Sequence, residues 1–208
     1  MKNLFYLLLL TLIFTACRSE KAPAIPTGAS VVILGDSLSY GTGADKNEDY
    51  PSLLAASTGW SIVNAGVPGD TTADGLERLP DLLKQHQPTL LIIELGGNDF
   101  LHGVPKAQTI ANLKAMIVDA KLKNISTLLV AIPEYSPLKA AVGGLSDHPL
   151  YKELAEETKV LLIEDVFSGV LSKNSLKADY IHPNAQGYRQ VEEKMREALT
   201  ALGLLQAK

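Results

Sequence analysis

The sequence has few of the residues that build covalent or metal cross-links. It contains one cysteine, Cys17, among 208 residues, so an intramolecular disulfide and a zinc site built on several cysteines are both excluded. Its 19 basic and 23 acidic residues give a formal net charge of −4, and no run of lysine or arginine interrupts the chain. Because nucleic-acid binding needs a basic patch, we expect no nucleic-acid partner.

Sequence signals for cofactors and metal ions are missing as well. No glycine-rich loop precedes a helix with the spacing that phosphate groups require. His86, His102 and His148 have no cluster of carboxylates beside them in the sequence. We therefore expect neither a cofactor nor a bound metal ion.

The only long apolar run lies at the amino terminus and has the length of a signal peptide. Lys2 precedes an apolar block at residues 4–14, which is too short to span a bilayer comfortably. The end of the block, residues 14–17 (Phe-Thr-Ala-Cys), resembles a bacterial lipoprotein signal, in which the cysteine is lipidated. We interpret residues 1–16 as a signal peptide, and residues 17–30 as lipidated Cys17 followed by a flexible tether to a membrane. A soluble periplasmic or secreted protein with an incidental cysteine is the alternative.

From residue 31 onward, strand-like apolar runs alternate with helix-like stretches. This alternation predicts one α/β domain over residues 31–208, with three α/β/α layers and a doubly wound parallel sheet. Pro80 is expected to kink or split the second helix. The predicted strands are residues 31–34, 61–65, 90–95, 127–132 and 160–163, and the predicted helices are residues 50–57, 74–86, 105–123, 149–158 and 185–201.

A candidate nucleophile follows the first predicted strand. The apolar, mostly β-branched run at residues 31–34 stops at Gly35, and Ser37 comes two residues later. Gly35 permits a sharp turn, so Ser37 is expected at the carboxyl edge of the sheet, where ligands bind in open α/β sheets. A serine there becomes a nucleophile if a base and oxyanion donors lie nearby.

A candidate base and its orienting acid lie close together near the carboxyl terminus. Asp179 and His182 are one turn apart, so the carboxylate can accept from one ring nitrogen and leave the other nitrogen free for Ser37. Taken alone, this spacing also fits a capping aspartate beside a surface histidine.

Candidate oxyanion donors follow the second and third predicted strands. Gly69 can present its backbone N–H, and Asn98 carries an amide that donates hydrogen bonds. The residues of both loops are also typical of ordinary turns. A requirement for positive φ would explain the glycine at position 69 nearly as well as an oxyanion role. Asp36 and Asp70 are interpreted as structural acceptors of backbone N–H groups in their turns.

These blocks together resemble the GDSL, or SGNH, hydrolases. The similarity includes residues 35–38 (Gly-Asp-Ser-Leu), Gly69, residues 96–99 (Gly-Gly-Asn-Asp) and the pair Asp179 and His182. It is greatest to the periplasmic bacterial branch of acyl-CoA thioesterases, lysophospholipases and arylesterases. The α/β-hydrolase superfamily is disfavoured, because Ser39 stands where its Gly-x-Ser-x-Gly elbow has the second glycine.

The resemblance implies a fold and a set of roles. It implies a flavodoxin-like sheet of five parallel strands and a serine esterase without cofactor. Ser37 would be the nucleophile, His182 the base and Asp179 its orienting acid. The backbone N–H groups of Ser37 and Gly69 and the side chain of Asn98 would form the oxyanion hole.

The expected substrate is a small acyl ester, thioester or lysolipid, acted on by a monomer. Phe100 and Leu101 form an apolar loop that we expect to contact the acyl group, and residues 134–148 are a candidate wall or lid. A carbohydrate O-acetylesterase is one alternative, although it would need an open polar cleft. A surface lipoprotein that binds a ligand without catalysis is the other.

Overall fold

The computed structural model describes residues 23–134 and 136–206. Cys17 and the predicted signal peptide lie outside these residues. Five parallel strands form one sheet in the order β2-β1-β3-β4-β5, which is the flavodoxin-like order. The predicted fold class is therefore confirmed. The strands are β1 (Ser30–Gly35), β2 (Ser61–Gly66), β3 (Leu90–Glu94), β4 (Ser126–Val130) and β5 (Leu161–Ile163).

The helices fall into two groups by length. The five long ones begin and end within two residues of the predicted bounds, and they are α2 (Tyr50–Thr58), α3 (Thr72–His86), α5 (Lys106–Leu122), α7 (Leu150–Thr158) and α9 (Ala185–Ala201). A 3₁₀ turn at Asn174–Leu176 and four short helices were not predicted; these helices are α1 (Ser37–Tyr40), α4 (Gly97–His102), α6 (Pro137–Val142) and α8 (Phe167–Leu171).

The sheet is buried on both faces by two layers of helices. On one side α3 packs against α5, and α5 packs against α7; on the other, α9 packs against α2 and α8. All five residues of β3 are buried, as are the last five of β1. Such strands read as continuous apolar runs because neither face meets water. Glu94, the last residue of β3, is the exception in this pattern.

Pro80 does not split its helix, so that part of the prediction is wrong. Helix α3 runs without interruption from Thr72 to His86. A capping box between Thr71 and Asp74 begins the helix, and Leu79 and Leu83 are buried against the core on either side of the proline. Pro80 is exposed, and because proline has no backbone N–H, the helix lacks one hydrogen bond there. The buried face and the cap hold the helix together despite that loss.

The chain is docked on the domain before residue 31, so the flexible-tether prediction is wrong for residues 25–30. Ile25 is 6% exposed; its N–H donates to the Leu204 carbonyl at 2.8 Å, and its carbonyl accepts from Trp60 Nε1 at 3.2 Å. Gly28 donates to the carbonyl of Gly59 at 2.8 Å. Among the described helices, none is long and apolar enough to cross a membrane.

Docking of the amino-terminal segment should contribute to stability. We expect Ile25→Ala to lower the free energy of unfolding by about 2–5 kcal/mol, because it removes a buried side chain and leaves a cavity. The control is Leu122→Ala, since Leu122 is 77% exposed, and its effect should stay within about 0.5 kcal/mol. Urea denaturation measures both. Equal stability of the Ile25 variant and the wild type would show that this segment is not part of the folded unit.

Candidate active site

The turn that carries Ser37 is tightly packed against the sheet. Gly35 ends β1, Asp36 caps α1, and Ser37 is the first residue of that helix. A Cβ added at Gly35 would lie 2.1 Å from Ser39 Oγ and 2.8 Å from Glu94 Oε2. Gly35 is not among the residues with positive φ. The glycine is therefore needed for close approach rather than for the sharp turn that we expected.

The structure brings together three of the predicted site residues in one hydrogen-bonded chain. Ser37 Oγ lies 2.9 Å from His182 Nε2, although 145 positions separate them in sequence. His182 Nδ1 lies 2.7 Å from Asp179 Oδ2. With its proton on Nδ1, the imidazole donates to Asp179 and accepts from the Ser37 hydroxyl. This is the geometry in which an imidazole can remove a proton from serine.

The Asp179 carboxylate is fixed by hydrogen bonds on both oxygens. Its Oδ1 accepts from the backbone N–H groups of Ile181 and His182, each at 2.8 Å. Partial burial alone would raise its pKa, but the hydrogen bonds from the His182 ring and these two N–H groups hold the pKa of Asp179 below its usual value. The group is therefore ionised at neutral pH and stabilises the tautomer of His182 with its proton on Nδ1.

The loop that carries His182 is closed at its base. The Ala178 N–H donates to the His182 carbonyl at 3.0 Å, and Lys177 pairs with Pro183 in an antiparallel bridge. Asn184 then caps α9 by accepting from the Gly187 N–H at 2.9 Å, and its amide donates to the carbonyl of Lys177 at 3.2 Å. Asn184 therefore helps to position the imidazole; its place just before the last predicted helix was the only sequence signal for it.

Asn98 lies beside Ser37 in the same cavity, and both of its amide hydrogens have acceptors. Its Nδ2 donates to the Asp70 carbonyl at 2.9 Å and to Asp36 Oδ2 at 3.2 Å. Asp36 also accepts from the Leu38 N–H at 2.9 Å, as expected for a cap. One of the two amide hydrogen bonds must be shared or released before Asn98 can donate to an oxyanion.

Gly69 lies in the loop after β2 and is not among the residues that line the cavity. Its φ is +90°, and a Cβ added there would meet no atom within 4 Å. Asp70 accepts from Arg78 Nε at 2.7 Å, and Arg78 Nη2 donates to the Gly35 carbonyl at 3.0 Å. The Arg78 side chain therefore connects the Asp70 loop to the end of β1. We had expected the Asp70 carboxylate to accept from a backbone N–H group instead. The sequence had not indicated Arg78.

The cavity above Ser37 is mainly apolar. Leu101 lines the cavity, but Phe100 does not. The Phe100 ring stacks on the His148 ring, with 4.4 Å between the ring centroids, and makes an edge contact with Tyr151. The predicted pairing of Phe100 with Leu101 in the acyl site is therefore wrong for Phe100. Glu134, Ser136 and Leu145 come from the predicted wall, and the other apolar residues of the lining are Leu38, Ile132, Pro133, Leu171 and Ile181.

Two buried carboxyl groups lie beneath the nucleophile turn. Asp36 is 2% exposed and Glu94 has no exposed surface. The pKa of Asp36 is raised to about 7, chiefly by burial and with smaller contributions from the carboxylates of Asp70 and Asp99, while the hydrogen bond from Leu38 lowers it. Burial, followed by the charge of Asp36, raises the pKa of Glu94 well above its ordinary range. Within the described ranges, no group of three or more metal-ligating side chains is present.

The raised pKa of Asp36 predicts how stability changes with pH. Its ordinary value is 3.8 and the folded value is about 7, so between these pH values the folded chain binds a proton that the unfolded chain has lost. The contribution of Asp36 to the free energy of unfolding is therefore full below pH 3.8 and is lost as the pH rises to 7. Asp36→Asn keeps the cap but does not titrate, so its loss of stability over this range should be smaller.

Urea denaturation across that pH range measures the effect, with Asp45→Asn at an exposed position as the matched control. The difference in stability between wild type and Asp36→Asn should change with pH over this range, and by more than the difference between wild type and Asp45→Asn. A pH-independent difference for both variants would contradict the assignment of a raised pKa to Asp36.

Comparison with known proteins gives consistent relatives. The model of the GDSL-like lipase/acylhydrolase family matches residues 33–190. Thioesterase 1/protease 1/lysophospholipase L1 of Escherichia coli K12 is 35% identical over 208 residues, which cover 96% of this chain and 93% of the relative. An arylesterase of Vibrio mimicus is 32% identical, covering 92% of this chain and 96% of the relative.

Solved structures agree with the sequence relatives. The crystal structure of TesA matches with a TM-score of 0.72 at 32% identity, covering 83% of this chain and 99% of that one. The psychrotrophic esterase EstA from Pseudoalteromonas sp., in a structure inhibited by monoethylphosphonate, matches with a TM-score of 0.72 at 28% identity, covering 83% and 97%. From both the sequence match and the shared fold, this chain belongs to the GDSL-like lipase/acylhydrolase family.

Proposed function

We propose that this chain is a serine esterase that hydrolyses acyl esters or thioesters through an acyl-serine intermediate. The observation that carries the proposal is the hydrogen-bonded chain from Ser37 through His182 to Asp179, with distances of 2.9 and 2.7 Å. Ser37 and His182 line an apolar cavity. Relatives named as an arylesterase and a thioesterase/lysophospholipase support the same class of reaction.

Each of the three hydrogen-bonded residues has a distinct role in the proposed reaction. His182 Nε2 takes the hydroxyl proton as Ser37 Oγ attacks the acyl carbon, and Asp179 stabilises the imidazolium that forms. The tetrahedral intermediate collapses when His182 returns the proton to the leaving alcohol or thiol. His182 then activates water, which attacks the acyl-serine and releases the acid. General-base catalysis of this kind contributes typically about 10²–10⁴-fold.

The developing oxyanion needs hydrogen-bond donors, for which we propose the N–H groups of Ser37 and Gly69 and the amide of Asn98. The Ser37 N–H is at the first position of α1, where helices leave such groups without an intrahelical partner. For Asn98, the 3.2 Å hydrogen bond to Asp36 is the longer of its two. Because the pKa of Asp36 is about 7, part of the population near neutral pH has an uncharged carboxyl there. An uncharged carboxyl releases the amide more readily.

The lining of the cavity favours an acyl substrate over a sugar acetyl ester. Leu101, Leu145 and Leu171 contact the space above Ser37, and transfer of methylene groups from water onto such surfaces is worth about 0.8 kcal/mol each. A lysolipid or a medium-chain thioester fits this chemistry. A carbohydrate deacetylase would need polar groups to bind the sugar, and a ligand-binding protein would not need the Ser37–His182–Asp179 chain.

A fluorophosphonate probe and an ester panel test the proposed function. The wild type should be labelled at Ser37 and should hydrolyse p-nitrophenyl butyrate and longer esters. Ser37→Ala should be unlabelled and should lose about 10⁴-fold or more in kcat, because the nucleophile is gone. Ser61→Ala, at an exposed serine outside the cavity, is the control and should behave as the wild type. An unlabelled, inactive wild type would favour the ligand-binding alternative, and strict preference for acetyl esters would favour the deacetylase.

We further propose that the chain is exported and carries lipid on Cys17. Seven residues, 18–24, separate Cys17 from docked Ile25. Fully extended, they span about 25 Å, so a lipidated chain would hold the domain close to the membrane surface. Two or more acyl chains are needed for stable anchoring. This position would bring the cavity near lysolipid substrates.

Fractionation of a bacterial host that expresses the full chain tests the anchor. The wild type should incorporate labelled palmitate and appear in the membrane fraction, whereas Cys17→Ala should lose the label and move to the soluble fraction. Esterase activity of Cys17→Ala should be unchanged, because Cys17 is outside the proposed site. A wild type without label in the soluble fraction would instead support the secreted alternative.

A further inference from the structure

Glu94 is a buried acid that the proposed reaction does not use. It ends β3, pairs in register with Gly35, and has no exposed surface. Its Oε2 lies 2.5 Å from Ser39 Oγ, while its Oε1 has no hydrogen-bond partner within the described part of the chain. Burying a carboxyl group with an unsatisfied oxygen is costly. An apolar residue would suit this strand better, so the acid needs a functional explanation.

The partner of Glu94 belongs to the helix that carries the nucleophile. Ser39 is two residues after Ser37 within α1, which has only four residues. A helix this short is not stable on its own, because nucleation costs more than its few hydrogen bonds return. Its position must therefore come from contacts with the rest of the domain.

Those contacts converge on Ser39 from three directions. Glu94 contacts its hydroxyl from β3, and the Tyr50 hydroxyl of α2 lies 2.8 Å from the same oxygen. Asn64 of β2 donates to the Ser39 carbonyl at 2.7 Å. Tyr50 is itself held by an edge contact with Phe167 at 5.8 Å. The Ser39 side chain thus links α1 to β3 and α2, and its carbonyl links α1 to β2.

We propose that Glu94 is a positioning residue of the hydrolytic site: through its hydrogen bond to Ser39 it fixes α1, and thereby places the Ser37 hydroxyl against His182 Nε2. The inference rests on the proposed esterase function and deepens it. A hydrogen bond suits this task because it is directional, whereas apolar contacts allow a short helix to shift along the sheet.

The direction in which the pKa of Glu94 shifts is consistent with this role. Burial, followed by the charge of the nearby Asp36, raises the pKa of Glu94 well above its ordinary value and so favours the neutral carboxyl. A neutral carboxyl can donate to Ser39 as well as accept from it. It also avoids placing a second negative charge beside Asp36 beneath the nucleophile.

Substitution by an apolar residue of similar size tests the proposal. In Glu94→Leu, the rate constant for phosphonylation of Ser37 by a fluorophosphonate, expressed per folded molecule, should fall by about 10–100-fold, since a small misplacement of the reacting atoms costs about this much. We expect kcat to fall similarly, while KM for a p-nitrophenyl ester stays within about twofold, because Glu94 does not line the cavity. Glu94→Gln keeps a neutral polar partner for Ser39 and should recover most of the loss.

Glu192→Leu is the matched control for loss of a buried glutamate. Glu192 is 8% exposed and accepts from Ser57 Oγ at 2.5 Å, the same kind of hydrogen bond, but it lies on α9 outside the cavity. This variant should lose stability without a change in the phosphonylation rate per folded molecule. If Glu94→Leu fails to fold, Ser39→Ala removes the same hydrogen bond and should lower the rate in the same direction.

Two results would overturn the positioning role. One is a wild-type phosphonylation rate per folded molecule in Glu94→Leu, or in Ser39→Ala where Glu94→Leu does not fold. The other is an equal loss in Glu94→Gln and Glu94→Leu, because the hydrogen bond would then not be the cause. Neither result resembles failure of the esterase proposal, in which the wild type itself would not react with the probe.

Discussion

The hydrogen bond between Ser37 and His182 is the contact on which the rest of the site depends. It joins residues 145 positions apart, so the first strand and the last helix must both be in place before it can form. The parallel sheet meets this requirement, because the carboxyl ends of its strands share one edge. Ser37 follows β1 there, and the Asp70 and Asn98 loops follow the neighbouring strands β2 and β3. The bridge between Lys177 and Pro183 closes the His182 loop, and the imidazole of that loop meets Ser37 at the same edge.

Buried acids support this edge in two different ways. Asp99 is fully satisfied: it accepts from the N–H and hydroxyl of Thr72 and from the hydroxyl of Thr109, so it joins α3, α4 and α5 at low cost. Asp36 accepts from Leu38 and Asn98, whereas Glu94 Oε1 has no hydrogen-bond partner in the described part of the chain. Burial raises the pKa of both acids. Unsatisfied polar groups at an active site are a common way in which a protein accepts lower stability for a fixed geometry.

Short apolar runs alternating with helix-like stretches were sufficient to predict the strands and the long helices from sequence, whereas the flavodoxin-like sheet was implied by the resemblance to the SGNH hydrolases. Hydrophobic periodicity could not reveal α1 or α4, because a helix of four to six residues has too few turns to show a pattern. It also could not separate Phe100 from Leu101: neighbours on a helix point about 100° apart, and only tertiary packing directs Phe100 to His148. Ile25 was a single apolar residue in a stretch rich in alanine and proline, so its docking against Trp60 left no periodic signal.

The residues of the candidate site were easier to predict from the sequence than the residues that hold them in place. Ser37, Asp179, His182 and Asn98 are polar residues in short motifs, which makes them visible in a sequence. Arg78 and Tyr50 lie within ordinary helices, and their contacts with Gly35 and Ser39 depend on distances that only the fold sets. Glu94 had a weak signal that we did not use, namely an acid at the end of an otherwise apolar strand.

The most direct test of the account is a crystal structure of this chain after reaction with a phosphonate ester. We predict continuous density from Ser37 Oγ to phosphorus, with the phosphoryl oxygen about 3 Å from Asn98 Nδ2 and from the Ser37 backbone nitrogen. His182 Nε2 should stay on the opposite side, where the leaving group departs. An unmodified Ser37, or a phosphoryl oxygen directed away from Asn98, would contradict it.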